Sequence, residues 1–234
     1  MRLHDMNWMM VEEYLETDDR IVIPLGSTEQ HAYLSLGVDA ILSERVSLEA
    51  AEPLGVPVMP ALPVGVTPYF AAYPGSPTVS LAVYIAYLGD IVRSLANQGF
   101  RRILLVNGHG GNSPAAGAAS EWMAALPGCR VRAHDWWRGP RTAAAVARTG
   151  APPAHASWME NLPWTRLDGV ELPPAEKPLV DLVSLAVADS AGVRELLGDG
   201  SYGGPYQLPD EAVLEMWRAG VEEVRDLLET GWGD

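Results

Sequence analysis

The sequence predicts an α/β domain built around a mainly parallel sheet, and three features carry that prediction. Residues 20–25 (RIVIPL) and 103–106 (ILLV) are short apolar runs of the kind that forms strands covered on both faces. An amphipathic helical stretch separates them, as a crossover between parallel strands requires. Each run leads into a glycine-bearing turn with ionisable side chains, 26–31 and 107–112. Turns at the carboxyl ends of parallel strands open on one edge of the sheet, where ligands bind.

Length and composition bound the reading. At 234 residues and 48% hydrophobic content, the chain suffices for one α/β core, and a single domain over residues 1–234 is expected. Thirty acidic against 16 basic residues give a net charge of −14, which excludes nucleic acid and anionic membranes as partners and favours a small-molecule substrate. Cys129 is the single cysteine, so no intrachain disulfide can form. Residues 1–6 lack the apolar core of a signal peptide, and no run approaches the roughly 20 apolar residues of a membrane span, so a cytoplasmic location is expected. Eight Trp and 8 Tyr against 2 Phe suggest amphipathic aromatic walls, in a site or in a subunit interface.

Taken in order, residues 9–16 have helical composition and 20–25 form the first core strand. The turn that follows exposes Glu29 and His31 two positions apart, on one face of an extended backbone. Asp39 opens a helix over 40–52, for which it is also a fitting N-cap. The proline-rich 57–65 holds one strand, and 68–76 forms a long ordered loop of the functional sort. Ser80 caps a helix with Leu81, Tyr84, Leu88, Ile91 and Leu95 on one stripe, ended by Gly99. After the strand at 103–106 and the glycine turn, Ser113 and Pro114 supply a cap and a first-turn proline for a helix over 115–126. Alternation over 130–135 indicates a strand nearer the sheet edge, closed by Trp136 and Trp137. A third polar cluster spans 155–161, and 168–181, with Pro173, Pro174 and Pro178, is an irregular excursion. A final helix starts at Pro209, its Val213, Trp217, Val221, Val224 and Leu228 falling on one packing stripe.

Five side chains, Glu29, His31, Asp39, His109 and Glu160, are of the types that ligate divalent transition metals. Each alone has an ordinary explanation: a solvated turn residue, a satisfied loop histidine, a helix cap, an exposed helical carboxylate. Convergence argues otherwise, because the 26–31 and 107–112 turns must be neighbours at the sheet edge. Five ligands are too many for one tetrahedral ion, whereas two Zn²⁺ or Mn²⁺ ions bridged by Asp39 fit the count. A water held between such ions becomes a hydroxide near neutral pH, and the chemistry implied is hydrolysis. His155 is a candidate proton shuttle, although in a continuous helix Glu160 would point about 140° away from it. Cys129 has no neighbouring base in sequence, and His4 and His134 read as structural. The 108–111 glycines lack the spacing and Lys-Ser/Thr ending of phosphate-binding loops.

The order of Gly26-Ser-Thr-Glu-Gln-His31, Asp39, Asn107-Gly-His-Gly-Gly-Asn112, His155-Ala-Ser-Trp-Met-Glu160 and the glycine turn 200–205 resembles the creatininase, or creatinine amidohydrolase, family over nearly the whole chain. The resemblance implies a three-layer α/β/α fold, two divalent metals (zinc, manganese or iron), hydrolysis of an unactivated C–N bond, and a homo-oligomer, often a hexamer. It also implies metal ligation by Glu29, His31, Asp39, His109 and Glu160, with a cyclic amide, a formamide or a small peptide as substrate. Three departures point away from creatinine itself. The loop 30–34 lacks the family's second histidine, Gly111 stands where creatininases carry a glutamate, and 161–164 replaces a Thr-Ser sequence that would border the pocket. Glu160 is expected to supply the carboxylate missing at 111. The alternatives are hydrolysis of another bond (lactone or C–C) by the same hydroxide, or a non-catalytic metal-binding assembly protein.

Overall fold

Strands β1 (Arg20–Leu25), β2 (Arg102–Asn107) and β3 (Arg130–Asp135) lie side by side in that order and run parallel. The structure is a computed structural model and describes residues 1–233. In register, Leu25 faces Asn107 and Asn107 faces Asp135, so the three carboxyl ends are level. Eight α-helices are described: α1 (Trp8–Leu15), α2 (Val38–Ala51), α3 (Leu81–Gln98), α4 (Ala119–Ala125), α5 (Pro140–Thr149), α6 (Leu182–Ala186), α7 (Ser190–Leu197) and α8 (Asp210–Thr230).

Strand alternation sorts the core into two layers. Ile21, Ile23, Leu25, Ile103 and Leu105 pack against Tyr84, Leu88, Val92 and Leu95 of α3 and against Ala119 and Trp122 of α4. Val22, Leu104 and Val106 face the other way, onto Leu42 and Val46 of α2, Val146 of α5 and the α8 stripe of Val213, Trp217, Val221, Val224 and Leu228. The expected three-layer α/β/α arrangement is therefore present, with β1 and β2 apolar on both faces because both are covered. β3, half-exposed in its burial pattern, is the edge.

Several local expectations hold. Ser80 caps α3 by accepting from the Val83 N–H, and Gly99 ends it at φ 117°. Others are corrected. The strand expected within 57–65 shrinks to isolated parallel bridges, Val58 to Val22 and Leu62 to Leu25, because Pro57, Pro60 and Pro63 have no N–H to extend a ladder. Val92 rather than Ile91 is fully buried on α3. Ser113 caps nothing: its hydroxyl donates to Asp135 Oδ2 at 2.9 Å and accepts from Asn107 Nδ2 at 3.3 Å. The chain accordingly runs as a 3₁₀ helix over Gly110–Ala118 before α4 begins. Helices α5, α6 and α7 lie in stretches read as connections or not read at all. They are short, and α6 and α7 depend on side-chain caps from Asp181 and Asp189.

The path positions the site. From β1 the chain passes through α2 to the Val58 edge, then returns through α3 to β2 on the other side of β1. The order reverses between β1 and β2, which opens a crevice at their carboxyl ends. Among the described residues no helix is long and apolar enough to cross a membrane.

Candidate metal centre

The loop after β1, the start of α2 and the loop after β2 meet in that crevice. Glu29, His31, Asp39 and His109 are there 1%, 1%, 2% and 3% exposed, a concentration of ionisable groups that a folded core tolerates only when they are mutually paired or hold a cation. Gly108 lets the loops close, since a Cβ there would strike the Asp39 carbonyl and sit 3.0 Å from Ser43 Cβ.

Asp39 is the second residue of α2, not its N-cap; Gly37 holds that place and makes no side-chain cap. The Asp39 carboxylate instead accepts from Ser27 Oγ at 2.8 Å and lies 3.1 Å from His31 Nε2 and 3.0 Å from His109 Nδ1. The helix N-terminus behind it favours its charge. His31 Nδ1 donates to the Glu29 carbonyl at 3.1 Å, and His109 Nε2 donates to the Val66 carbonyl at 3.0 Å. Each imidazole thus has its outer N–H fixed by backbone and its inner nitrogen turned to carboxylates, as metal-bound histidines do. The inner nitrogen of His31 also lies 3.8 Å from Glu160 Oε2, and that of His109 lies 3.2 Å from Glu29 Oε1.

The 155–161 stretch is not a continuous helix. Ala156 takes φ 53° and a single 3₁₀ turn covers Trp158–Glu160, so both His155 and Glu160 point inward. The Glu160 carboxylate accepts from the Ala156 N–H at 2.6 Å. His155 stacks on Phe70 (centroids 4.8 Å apart, 27° between planes) and lies 4.5 Å from the His31 ring. Its Nδ1 is 4.0 Å from Glu29 Oε1, while its Nε2 sits 3.1 Å from the Gln30 carbonyl and 2.9 Å from the Gln30 amide nitrogen. Gln30 in turn donates to the Gly200 carbonyl at 3.1 Å, which ties the late glycine turn to the site.

Ligand-type atoms within 4.8 Å of one another form three sets: Glu29, Asp39 and His109; His31, Asp39 and Glu160; and Glu29, His31 and His155. The electrostatics suit a cation. Burial works against a charged His31, yet Asp39, Glu160 and Glu29 overcome it and raise its pKa to about 10. His109, likewise buried, is raised well above its usual value by Glu29 and Asp39. Burial also opposes the Asp39 charge, but His31 and His109 hold that carboxyl far below the usual range. Glu160 is raised to about 7 by burial, against the pull of His31. Burial and the nearby His31 keep His155 well below its usual pKa and therefore neutral. Protons on His31 and His109 thus stand where positive charge is needed, and buried Glu29 Oε2 has no hydrogen-bond partner among protein atoms. Carboxylates and imidazoles in these numbers fit zinc, manganese or iron.

A cavity of about 1050 Å³ opens from this cluster. Tyr69, Phe70 and Tyr202 form its near wall. The 68–76 loop and the glycine turn carry those three residues and the 26–31 motif carries Gln30, whereas Arg138 gave no signal in sequence. Tyr69 also explains Gly111: a Cβ at 111 would meet the Val66 carbonyl and lie 2.8 Å from the Tyr69 hydroxyl, which itself is 3.4 Å from His109 Nε2. Residues 161–164 do not border the cavity, contrary to expectation. Asn161 instead donates to the Tyr206 carbonyl and Trp164 packs under Arg45 and against Trp217. Cys129 is buried against the α3 and α4 layer, away from the site.

Comparison with known proteins places these features in context. The family profile described as creatinine amidohydrolase (Creatininase) matches residues 4–228. The chain is 32% identical over 116 residues to a creatinine amidohydrolase of Pseudomonas putida, covering 47% of this chain and 45% of that protein. It is 35% identical over 107 residues to the 3-dehydro-scyllo-inosose hydrolase of Thermotoga maritima, covering 45% and 34%. These alignments thus span less than half the length of either relative. A solved structure described as Creatininase Mn superposes with a TM-score of 0.79 at 23% identity, covering 100% of this chain and 99% of that one, and a further creatininase structure is described as Zn-Zn type.

Proposed function

This chain belongs to the creatininase family, and we propose that it is a dinuclear metal-dependent amidohydrolase acting on the C–N bond of a cyclic amide, a formamide or a small peptide-like amide. The observation that carries this reading is that Asp39 belongs to two ligand sets at once, one completed by Glu29 and His109 and the other by His31 and Glu160. Each set would hold one divalent ion, zinc first, with manganese or iron as alternatives. Bound there, the ions would supply a water of lowered pKa and a Lewis acid for the amide carbonyl.

The protein's own groups account for the rest. Ser27 and the backbone bonds to His31 and His109 keep the ligands in one orientation. His155 is held by Gln30 and Phe70, is neutral, and turns Nδ1 to the cluster, so that nitrogen takes a proton and returns it to the departing amine. Tyr202, its pKa pushed up to about 12 by burial and by Glu29, stays a neutral donor beside the substrate. Phe70 and Met159 add apolar lining to the cavity.

A second reading, hydrolysis of a bond other than C–N by the same centre, is favoured by the similarity to 3-dehydro-scyllo-inosose hydrolase. One experiment addresses all of this. Gently purified protein should contain about two equivalents of transition metal per chain, and metal-loaded protein screened against cyclic and linear amides should hydrolyse at least one class. Fewer than one equivalent, even after reconstitution, would overturn the enzyme reading.

A further inference from the structure

The cavity is larger and more one-sided than a small cyclic amide requires. Its volume of about 1050 Å³ lies at the top of the ~300–1,000 Å³ typical of small-molecule sites. Acidic Glu29, Asp39 and Glu160 mark one end. The lining also includes an apolar set, Trp137 after β3, Val146 and Ala147 on α5 and Pro152 beyond it. Among the lining residues Arg138 is the single Lys or Arg, in a chain where acidic residues outnumber basic ones 30 to 16.

Arg138 is only loosely engaged. Its side chain is 64% exposed, with one ion-pair contact, Nη1 to Asp135 Oδ2 at 3.3 Å. Asp135 already accepts from Asn107 and Ser113, so its charge is shared, and Arg138 makes no other side-chain hydrogen bond among the described residues. Its guanidinium lies 5.7 Å from the Trp137 ring, so cation and apolar wall adjoin. A guanidinium with most donors free, beside an indole, is built to receive a planar carboxylate whose apolar stem lies along the wall. A phosphate dianion would be left half-neutralised by this single guanidinium.

Resting on the amidohydrolase reading, we propose that the substrate is an amide bearing an aromatic or branched apolar body and a carboxylate. The body packs along Trp137, Val146 and Ala147, and the carboxylate meets Arg138.

The test uses 4-(acetamidomethyl)benzoate and its neutral counterpart N-(4-methylbenzyl)acetamide, with binding to metal-loaded protein measured by calorimetry beside hydrolysis. The acid should bind more tightly than the neutral amide by about 2- to 5-fold, the worth of an ion pair to a guanidinium that is 64% exposed. Arg138→Ala should abolish that preference with metal content unchanged, and Arg138→Lys should keep part of it. Ala147→Trp should weaken both ligands by filling the wall, with metal content unchanged. Equal binding of acid and neutral amide, or a preference that survives Arg138→Ala, overturns the inference. The two readings fail separately. Formamide hydrolysis without an Arg138-dependent preference sinks only this inference, and an Arg138-dependent preference without any amide hydrolysis sinks only the catalytic reading.

Discussion

Oδ1 of Asp39 lies 3.1 Å from His31 Nε2, while Oδ2 of the same carboxylate lies 3.0 Å from His109 Nδ1 on the opposite side. One short side chain thus joins the loop after β1 to the loop after β2. Asp39 caps no helix, so Asp39→Asn should keep the fold, although the loss of its charge between buried His31 and His109 should cost more stability than the ~0.3–1 kcal/mol of a first-turn carboxylate. Metal content should fall by at least one equivalent per chain, with turnover falling in parallel. A variant that merely melts earlier, with its metal intact, would show that Asp39 serves the helix and not the ions.

Glu160 and His155 should separate by kind of loss. Glu160→Gln removes a ligand-type oxygen from the His31 and Asp39 set, so an ion and most turnover should go together. His155→Asn should retain both ions and slow turnover by ~10²- to 10⁴-fold, the usual worth of general acid–base help. Metal analysis alongside kinetics distinguishes them; metal lost with His155 but kept without Glu160 would reverse the two roles.

Gly111→Ala should damage the site through packing alone. The added methyl meets the Val66 carbonyl, His109 Nε2 and the Tyr69 hydroxyl. Overpacking of this kind costs ~1–3 kcal/mol, a drop of roughly 2–12 °C in melting temperature for a chain of this size. Thermal unfolding at the parental temperature would refute the contact, and with it the account of why this position carries no glutamate.

Assembly is the fourth prediction. Leu179, Leu182, Val183 and Val187 are 60%, 62%, 76% and 84% exposed, and Trp8 is 70% exposed. Apolar side chains gathered on and around α6 are surface that a homo-oligomer would bury. Sedimentation at micromolar concentration should give an oligomer, a hexamer being the expected form, and Val183→Glu with Val187→Glu should weaken it. A monomer for the parent chain would refute the expectation.

Much of this protein is determined by sequence acting locally. β1 matches residues 20–25, and β2 contains 103–106, because strands buried on both faces must be apolar throughout. α3 follows from its caps and stripe and α8 from its stripe, and Glu29, His31, Asp39 and His109 are legible because each follows a strand end or a glycine, whereas Glu160 follows neither. Tertiary structure decided what depends on partners distant in sequence. Ser113 has a cap's chemistry, but Asp135 from the next strand claims its hydroxyl. Asp39 has an N-cap's chemistry too, yet lies one position inside α2 and faces His31 and His109. His155 and Glu160 share a side only because Ala156 adopts a positive φ that no periodicity announces. Tyr69 fills the space beside Gly111, and Arg138 comes to line the cavity, through loops whose course is set by long-range packing. Hydrophobic period and turn chemistry are written within a few residues, whereas the convergence of side chains on one point depends on how strands, helices and loops pack together.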